Sequence, residues 1–114
     1  MKSSAQLLKR QIKALKQQLV ALGTLQPGSL SKQYNVCGNP TCRCKATPPR
    51  KHGPYFQISF TRNGRSSTRF VKARNLPRVR AQLKNYRRLR ELVDRWVTLA
   101  TELAILELAE GGSD

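Results

Sequence analysis

The sequence predicts an α+β fold: a short N-terminal helix, a zinc-stapled loop with a small antiparallel β-hairpin, and a long C-terminal helix that pairs as a coiled-coil-like dimer. Three observations predict it. Apolar residues recur at 4, 3, 4, 3 spacing near the start, Asn-Gly separates two β-like runs in the middle, and a second stripe at spacings of 3 and 4 runs to the end. These features divide the chain into segments 1–23, 24–75 and 76–110 with a tail 111–114.

In the first segment, Leu8, Ile12, Leu15, Leu19 and Leu22 fall on one side of a helix, and Gly23 is placed to cap its C-terminus. Lys9, Arg10, Lys13 and Lys16 occupy the other faces. A helix this short is marginal alone. Its stripe therefore packs either on the long C-terminal helix or on the same helix of a second chain.

The next stretch contains Pro27, Pro40, Pro48 and Pro49 with Gly28, Gly38 and Gly53, which excludes a helix, and Ser31 to Val36 reads as a short strand. Within it, Cys37, Cys42, Cys44 and His52 give the pattern C-x4-C-x-C-x7-H. Three thiols and an imidazole in a turn-rich loop suffice for a closed tetrahedral Zn2+ site. His52 is the only histidine, and three cysteines cannot all pair in disulfides. A catalytic zinc keeps an open position and a nearby carboxylate base. The nearest acid in sequence to His52 is Glu91, so the pattern points to a structural ion. The bland alternative is a reduced loop with three free thiols.

Tyr55 to Phe60 and Ser66 to Lys72 are β-like runs around Arg62-Asn63-Gly64-Arg65, a strong hairpin signal. A two-residue turn pairs Arg62 with Arg65. Phe56, Ile58 and Phe60 then share a face with Ser67, Arg69 and Val71, while Tyr55, Gln57, Ser59, Thr61, Ser66, Thr68 and Phe70 form the other. Arg69 sits awkwardly in the apolar set, and a bulge or a longer turn would bring Phe70 inward instead.

After Asn75, Pro77 suits the first turn of a helix that runs to about Ala109 and stops at Gly111-Gly112. Its stripe of Leu89, Leu92, Trp96, Leu99, Leu103 and Leu106 is the expected dimer interface. Val79, Leu83 and Tyr86 extend it upstream, and Val93, Val97, Ile105 and Leu108 widen it. The rear half outruns what a small zinc module could cover, so a second chain is its expected partner.

Charge decides the function class. The chain holds 22 Lys and Arg against 6 Asp and Glu, a net charge of +16, and all six acids follow residue 90. Self-repulsion of that size calls for a polyanion. Nucleic acid is therefore the expected partner, DNA ahead of RNA. Arg43, Lys45, Arg50, Lys51, Arg62, Arg65, Arg69, Lys72, Arg74, Arg78, Arg80, Lys84, Arg87 and Arg88 are candidates for phosphate contacts. Gln57, with Ser59, Thr61 and Arg69, is the candidate for base readout. An RNA-binding role, with Tyr34, Tyr55 or Phe56 stacking on bases, is the second reading. The third is an adaptor whose C-terminal helix docks a larger recombinase or nuclease. An enzyme is not expected, because the acid-free front lacks carboxylates for hydrolysis. No stretch is apolar enough for a membrane span. The front shares the basic, acid-free bias of a transit peptide without its richness in Arg. The cysteine usage fits a reducing, cytoplasmic location, nucleoid-associated if DNA is the partner.

Cys37-Gly38-Asn39-Pro40-Thr41-Cys42-Arg43-Cys44, followed by His52-Gly53-Pro54-Tyr55-Phe56, Asn63-Gly64-Arg65 and Asn85-Tyr86-Arg87-Arg88-Leu89, resembles a family of small bacterial, phage and mobile-element proteins catalogued as a domain of unknown function. The resemblance covers about residues 28 to 96. It implies a bacterial or phage source and treats the cysteine cluster as one unit, with no activity attached. At the level of fold alone, the order of sheet then helix is similar to DNA-binding domains attached to some integrases.

Overall fold

The computed structural model describes residues 4–47 and 50–110. The expected turn at Pro48 and Pro49, the stop at Gly111-Gly112 and the tail 111–114 lie outside the described residues. The order is α1 (Ser4–Val20), β1 (Ser29–Asn35), β2 (His52–Arg62), β3 (Arg65–Val71) and α2 (Leu76–Glu110), with 3-10 turns at Arg43–Lys45 and Ala73–Asn75. The three strands form one antiparallel sheet in the order β1-β2-β3. The expected α+β class is therefore the observed one. The chain divides into two compact units, Gln26–Leu83 and Met1–Leu25 with Lys84–Asp114.

In the unit Gln26–Leu83, Asn63 at φ 54° and Gly64 at φ 75° both adopt the left-handed conformation of a two-residue hairpin turn. The register is the one that turn dictates, with Arg62 opposite Arg65 and Phe56 opposite Val71. No bulge interrupts β2 and β3 over those pairs, so Phe70 stays outside, 75% exposed. β1 adds a third strand, with Leu30 opposite Ile58 and Ser31 opposite Gln57, and its register shifts between Gln33 and Asn35. The core is Ile58, Val79 and Leu83, with Leu30 and Val71 packed against it. Each such side chain contributes about 2 kcal/mol on leaving water. Arg69 belongs to this face by register, yet stays exposed by reaching sideways. Its guanidinium donates to Gln26 Oε1 at 2.6 Å, and Gln26 Nε2 donates to Gln82 Oε1 at 2.6 Å. That chain of polar groups ties the segment before β1 to the opening turns of α2.

In the other unit, α1 buries Ala5, Leu8, Ile12 and Leu15. On α2 the buried partner is Leu92, 1% exposed, while Leu89, Trp96, Leu99, Leu103 and Leu106 are half-buried. Arg88 donates to Gln18 Oε1 at 2.8 Å, and Lys16 Nζ lies 5.1 Å from the centre of the Trp96 ring. Leu8 and Gln11 line a groove with Leu99 and Leu106. Residue numbers rise along one helix as they fall along the other, so the two helices pair antiparallel. Asn85 Nδ2 closes the connection by donating to the Thr24 carbonyl at 2.9 Å. Of the stripe expected to meet a second chain, Leu92 is thus buried within one chain and the other members stay half-buried. A spacing of 3 and 4 states only that a helix has an apolar seam. Which helix fills that seam depends on whether the connection can fold back, and residues 21 to 83 bring it back.

Candidate metal centre

Cys37 follows the end of β1 and His52 begins β2, where Asn35 pairs with His52. The sheet thus brings the first and last members of the motif side by side. The intervening loop is shaped by Asn39, whose side-chain oxygen accepts from the Thr41 amide at 3.0 Å and its hydroxyl at 2.8 Å. The resulting turn, closed by Cys42 N donating to the Asn39 carbonyl at 3.2 Å, presents Cys42. The following 3-10 turn points Cys44 inward, to 1% exposure, and Lys45 N donates to the Cys42 carbonyl at 2.9 Å. Arg50 N donates to the Arg43 carbonyl at 3.1 Å, which closes the loop before β2.

The four ligand atoms all lie within 4.8 Å of one another. Cys37 Sγ is 3.5 Å from Cys44 Sγ, and Cys42 Sγ is 3.2 Å from His52 Nε2. A tetrahedral ion with bonds near 2.3 Å to sulfur and 2.0 Å to nitrogen sets its ligands roughly 3.5 Å apart. The spacing therefore fits one metal ion held by all four side chains. The Cys37 amide also donates to Cys44 Sγ at 3.3 Å, which orients that sulfur. All three cysteines are free thiols.

The thiols are not equivalent. A backbone hydrogen bond from Cys44 and a side-chain one from Cys37 lower the Cys42 thiol to about 6, against desolvation, with His52 contributing last. Cys37 is raised. A backbone hydrogen bond from Asn39 favours its thiolate, but hydrogen bonds with Cys42 and Cys44, together with desolvation, outweigh it. One member of the cluster is thus ready to ligate at neutral pH. No Asp or Glu occurs in Gln26–Leu83, so no carboxylate base accompanies the cluster in its own unit.

A family model described as a domain of unknown function, DUF6788, matches residues 5–81. The chain belongs to that family. The match begins in α1 and stops inside α2, earlier at both ends than the expected 28 to 96, and it contains the whole cysteine and histidine cluster. No curated protein and no solved structure matches the chain.

All the basic candidates are exposed. Arg43, Lys45, Arg50 and Lys51 surround the cluster; Arg62 and Arg65 flank the hairpin turn; Lys72 and Arg74 follow β3; Arg78 and Arg80 stand on the first turns of α2. Lys84, Arg87 and Arg88 fall in the other unit, where Arg88 pairs with Glu91 at 3.1 Å, the one ion pair among the described residues. Gln57, Ser59 and Thr61 share a face, but Arg69 is on the opposite one with Ile58 and does not join them. Two contributors escaped the sequence reading. Asn39 builds the turn that presents Cys42, and the Asn-Pro pair at 39 and 40 was the available signal. Gly53, beside the candidate ligand His52, has φ +132°, and a Cβ there would stand 2.8 Å from the Gln33 carbonyl oxygen.

Proposed function

We propose that the chain is a nucleic-acid-binding protein that acts on double-stranded DNA, as a regulator or an accessory factor of a mobile element, with Zn2+ as the structural ion of the Cys37, Cys42, Cys44 and His52 cluster. The observation that carries this reading is the charge of the sheet unit. Gln26–Leu83 holds four Lys and eight Arg and no acid, so none of these cations has an internal counterion. Self-repulsion there is relieved by phosphate. Zinc is favoured by a donor set of three thiolates and an imidazole, which selects borderline-soft ions over Mg2+ or Ca2+. When bound, the ion supplies cross-linking and no chemistry of its own, since all four positions are filled by side chains.

The test is fluorescence anisotropy of a labelled duplex between about 50 and 200 mM salt. Each neutralised phosphate contributes a slope of about −0.9 in log affinity against log salt, so affinity should fall by orders of magnitude. Affinity indifferent to salt overturns the reading.

A second copy of the chain belongs to the same reading. After α1 has covered the inner stripe, Val97, Ile105 and Leu108 on α2 remain 58%, 62% and 75% exposed, next to Glu102 and Glu107, while α1 offers Lys9 and Lys13. Apolar area with complementary charges on the two helices favours a pair of hairpins, which would present two sheets to two half-sites. Sedimentation giving a monomer at tens of micromolar refutes the pair without touching DNA binding.

A further inference from the structure

The sheet has two faces of different chemistry. One carries Leu30, Ile58 and Val71 onto α2. The other is open, and from Ser29 to Gln33, Tyr55 to Thr61 and Ser66 to Phe70 it presents only Ser, Thr, Gln, one Tyr and one Phe. In a chain so rich in Lys and Arg, this face has no charge within its strands. The cations stand beyond its ends, with Arg62 and Arg65 at the hairpin turn, on the Ile58 side by register, and Arg50 and Lys51 just before β2.

We propose that this open face enters the major groove of B-form DNA as a base-reading surface, and that Gln57 and Phe70, opposite each other on β2 and β3, read an A·T step. The proposal rests on the nucleic-acid function above and names the face and the sequence class. Gln can both accept from and donate to adenine at N6 and N7, and an aromatic ring packs on the thymine methyl. Phe70 is 75% exposed and Tyr55 41%, which leaves apolar area available for such a contact. The hydroxyls are already ordered: Ser59 Oγ lies 3.1 Å from Thr68 Oγ1, and Thr61 Oγ1 2.8 Å from Ser66 Oγ. Groups held in place before binding lose less entropy on binding.

Width and charge layout select the ligand. β2 and β3, about 4.8 Å apart, form the kind of two-stranded ribbon that the roughly 12 Å major groove of B-DNA admits. The deep, narrow major groove of A-form RNA does not admit them. Single-stranded nucleic acid is bound where cations track the backbone alongside aromatic stacking platforms. Here cations flank an uncharged centre, the layout required when phosphates line the walls of a groove and base edges form its floor.

The experiment is selection of preferred duplexes from a random pool with the full chain, then anisotropy of wild type, Gln57→Ala, Phe70→Ala and Arg62→Ala on the selected and a scrambled duplex. Wild type should prefer the selected duplex. Gln57→Ala and Phe70→Ala should each reduce that preference by about tenfold or more while keeping affinity for the scrambled duplex. Arg62→Ala should weaken both duplexes alike. If Gln57→Ala does not fold, as judged by circular dichroism, Phe70→Ala at its exposed position still decides. A wild type that binds duplex but selects no sequence, or variants that keep the preference, overturns the proposal while leaving the general function standing. Tighter binding of a single-stranded oligonucleotide, lost in Phe70→Ala, overturns it in favour of stacking. A wild type without affinity for any nucleic acid means that the underlying function has failed.

Discussion

Cys42 Sγ lies 3.2 Å from Nε2 of His52, the first residue of the central strand. The metal loop is therefore anchored to the sheet at the strand that carries Ile58, the centre of the unit's core. Loss of the ion should be felt well beyond the loop.

Purified protein should contain about one equivalent of zinc, and Cys44→Ser should lose it. Cys44 is the buried member, so no solvent replaces its contacts. Structural zinc supplies folding free energy on the order of 10 kcal/mol. Elemental analysis with circular dichroism checks this: the variant should lose strand signal and duplex binding together. Well-folded protein with less than about half an equivalent of any metal contradicts it.

Gly53→Ala should weaken metal retention through backbone strain. The residue's φ of +132° is disfavoured for any side chain, and the new Cβ would stand 2.8 Å from the Gln33 carbonyl. A cost of about 1–3 kcal/mol follows. Competition with a chromogenic chelator reads the loss. Retention equal to wild type would show that β1 yields freely at Gln33.

Where the loop keeps its fold after the ion is removed, with strand ellipticity retained, Cys42 should be the fast-reacting thiol. Its thiolate is stabilised down to about 6, chiefly by the backbone hydrogen bond from Cys44, whereas Cys37 is shifted upward. Because the thiolate is the nucleophile, iodoacetamide labelling of Cys42 should rise as pH climbs through about 6 and level off near neutrality. Peptide mapping after timed labelling checks it, and a rate still climbing steeply above pH 8 counts against it.

Leu92→Ala should destabilise the helical pair by about 2–5 kcal/mol, since the residue is 1% exposed beneath α1. Val97→Ala, at a 58% exposed position, should cost far less in the isolated chain. Denaturant titration of both variants makes the comparison. Similar costs for the two would mean that the buried seam is placed wrongly.

Much of this was legible in the residues, for identifiable reasons. Asn-Gly forces one turn geometry, and a side-chain period of two then fixes every pair from Arg62 and Arg65 back to Phe56 and Val71. Leu8, Ile12 and Leu15 were readable as a buried stripe because helical periodicity admits no other grouping. The cluster of Cys37, Cys42, Cys44 and His52, which could hold a metal ion, was readable because one His and three Cys fall in one short loop. What could not be read was long-range. β1 reaches back to Ser29, and β2 starts at His52 rather than Tyr55, because Gly53 and Pro54 punctuate a strand they do not end. The pairing of α1 with α2 depends on chain closure and leaves no mark in the pattern. Arg69 looked misplaced until Gln26, 43 residues away, appeared beside it.

Lys16 poised over the ring of Trp96 gives the molecule an internal optical gauge. Trp96 is the only tryptophan, and the sheet unit has none. Indole emission therefore follows the parting of α1 from α2 and is blind to the melting of the strands. Ellipticity records both events. Two midpoints from one titration would show that the helices and the sheet come apart separately, and a single midpoint that they unfold as one.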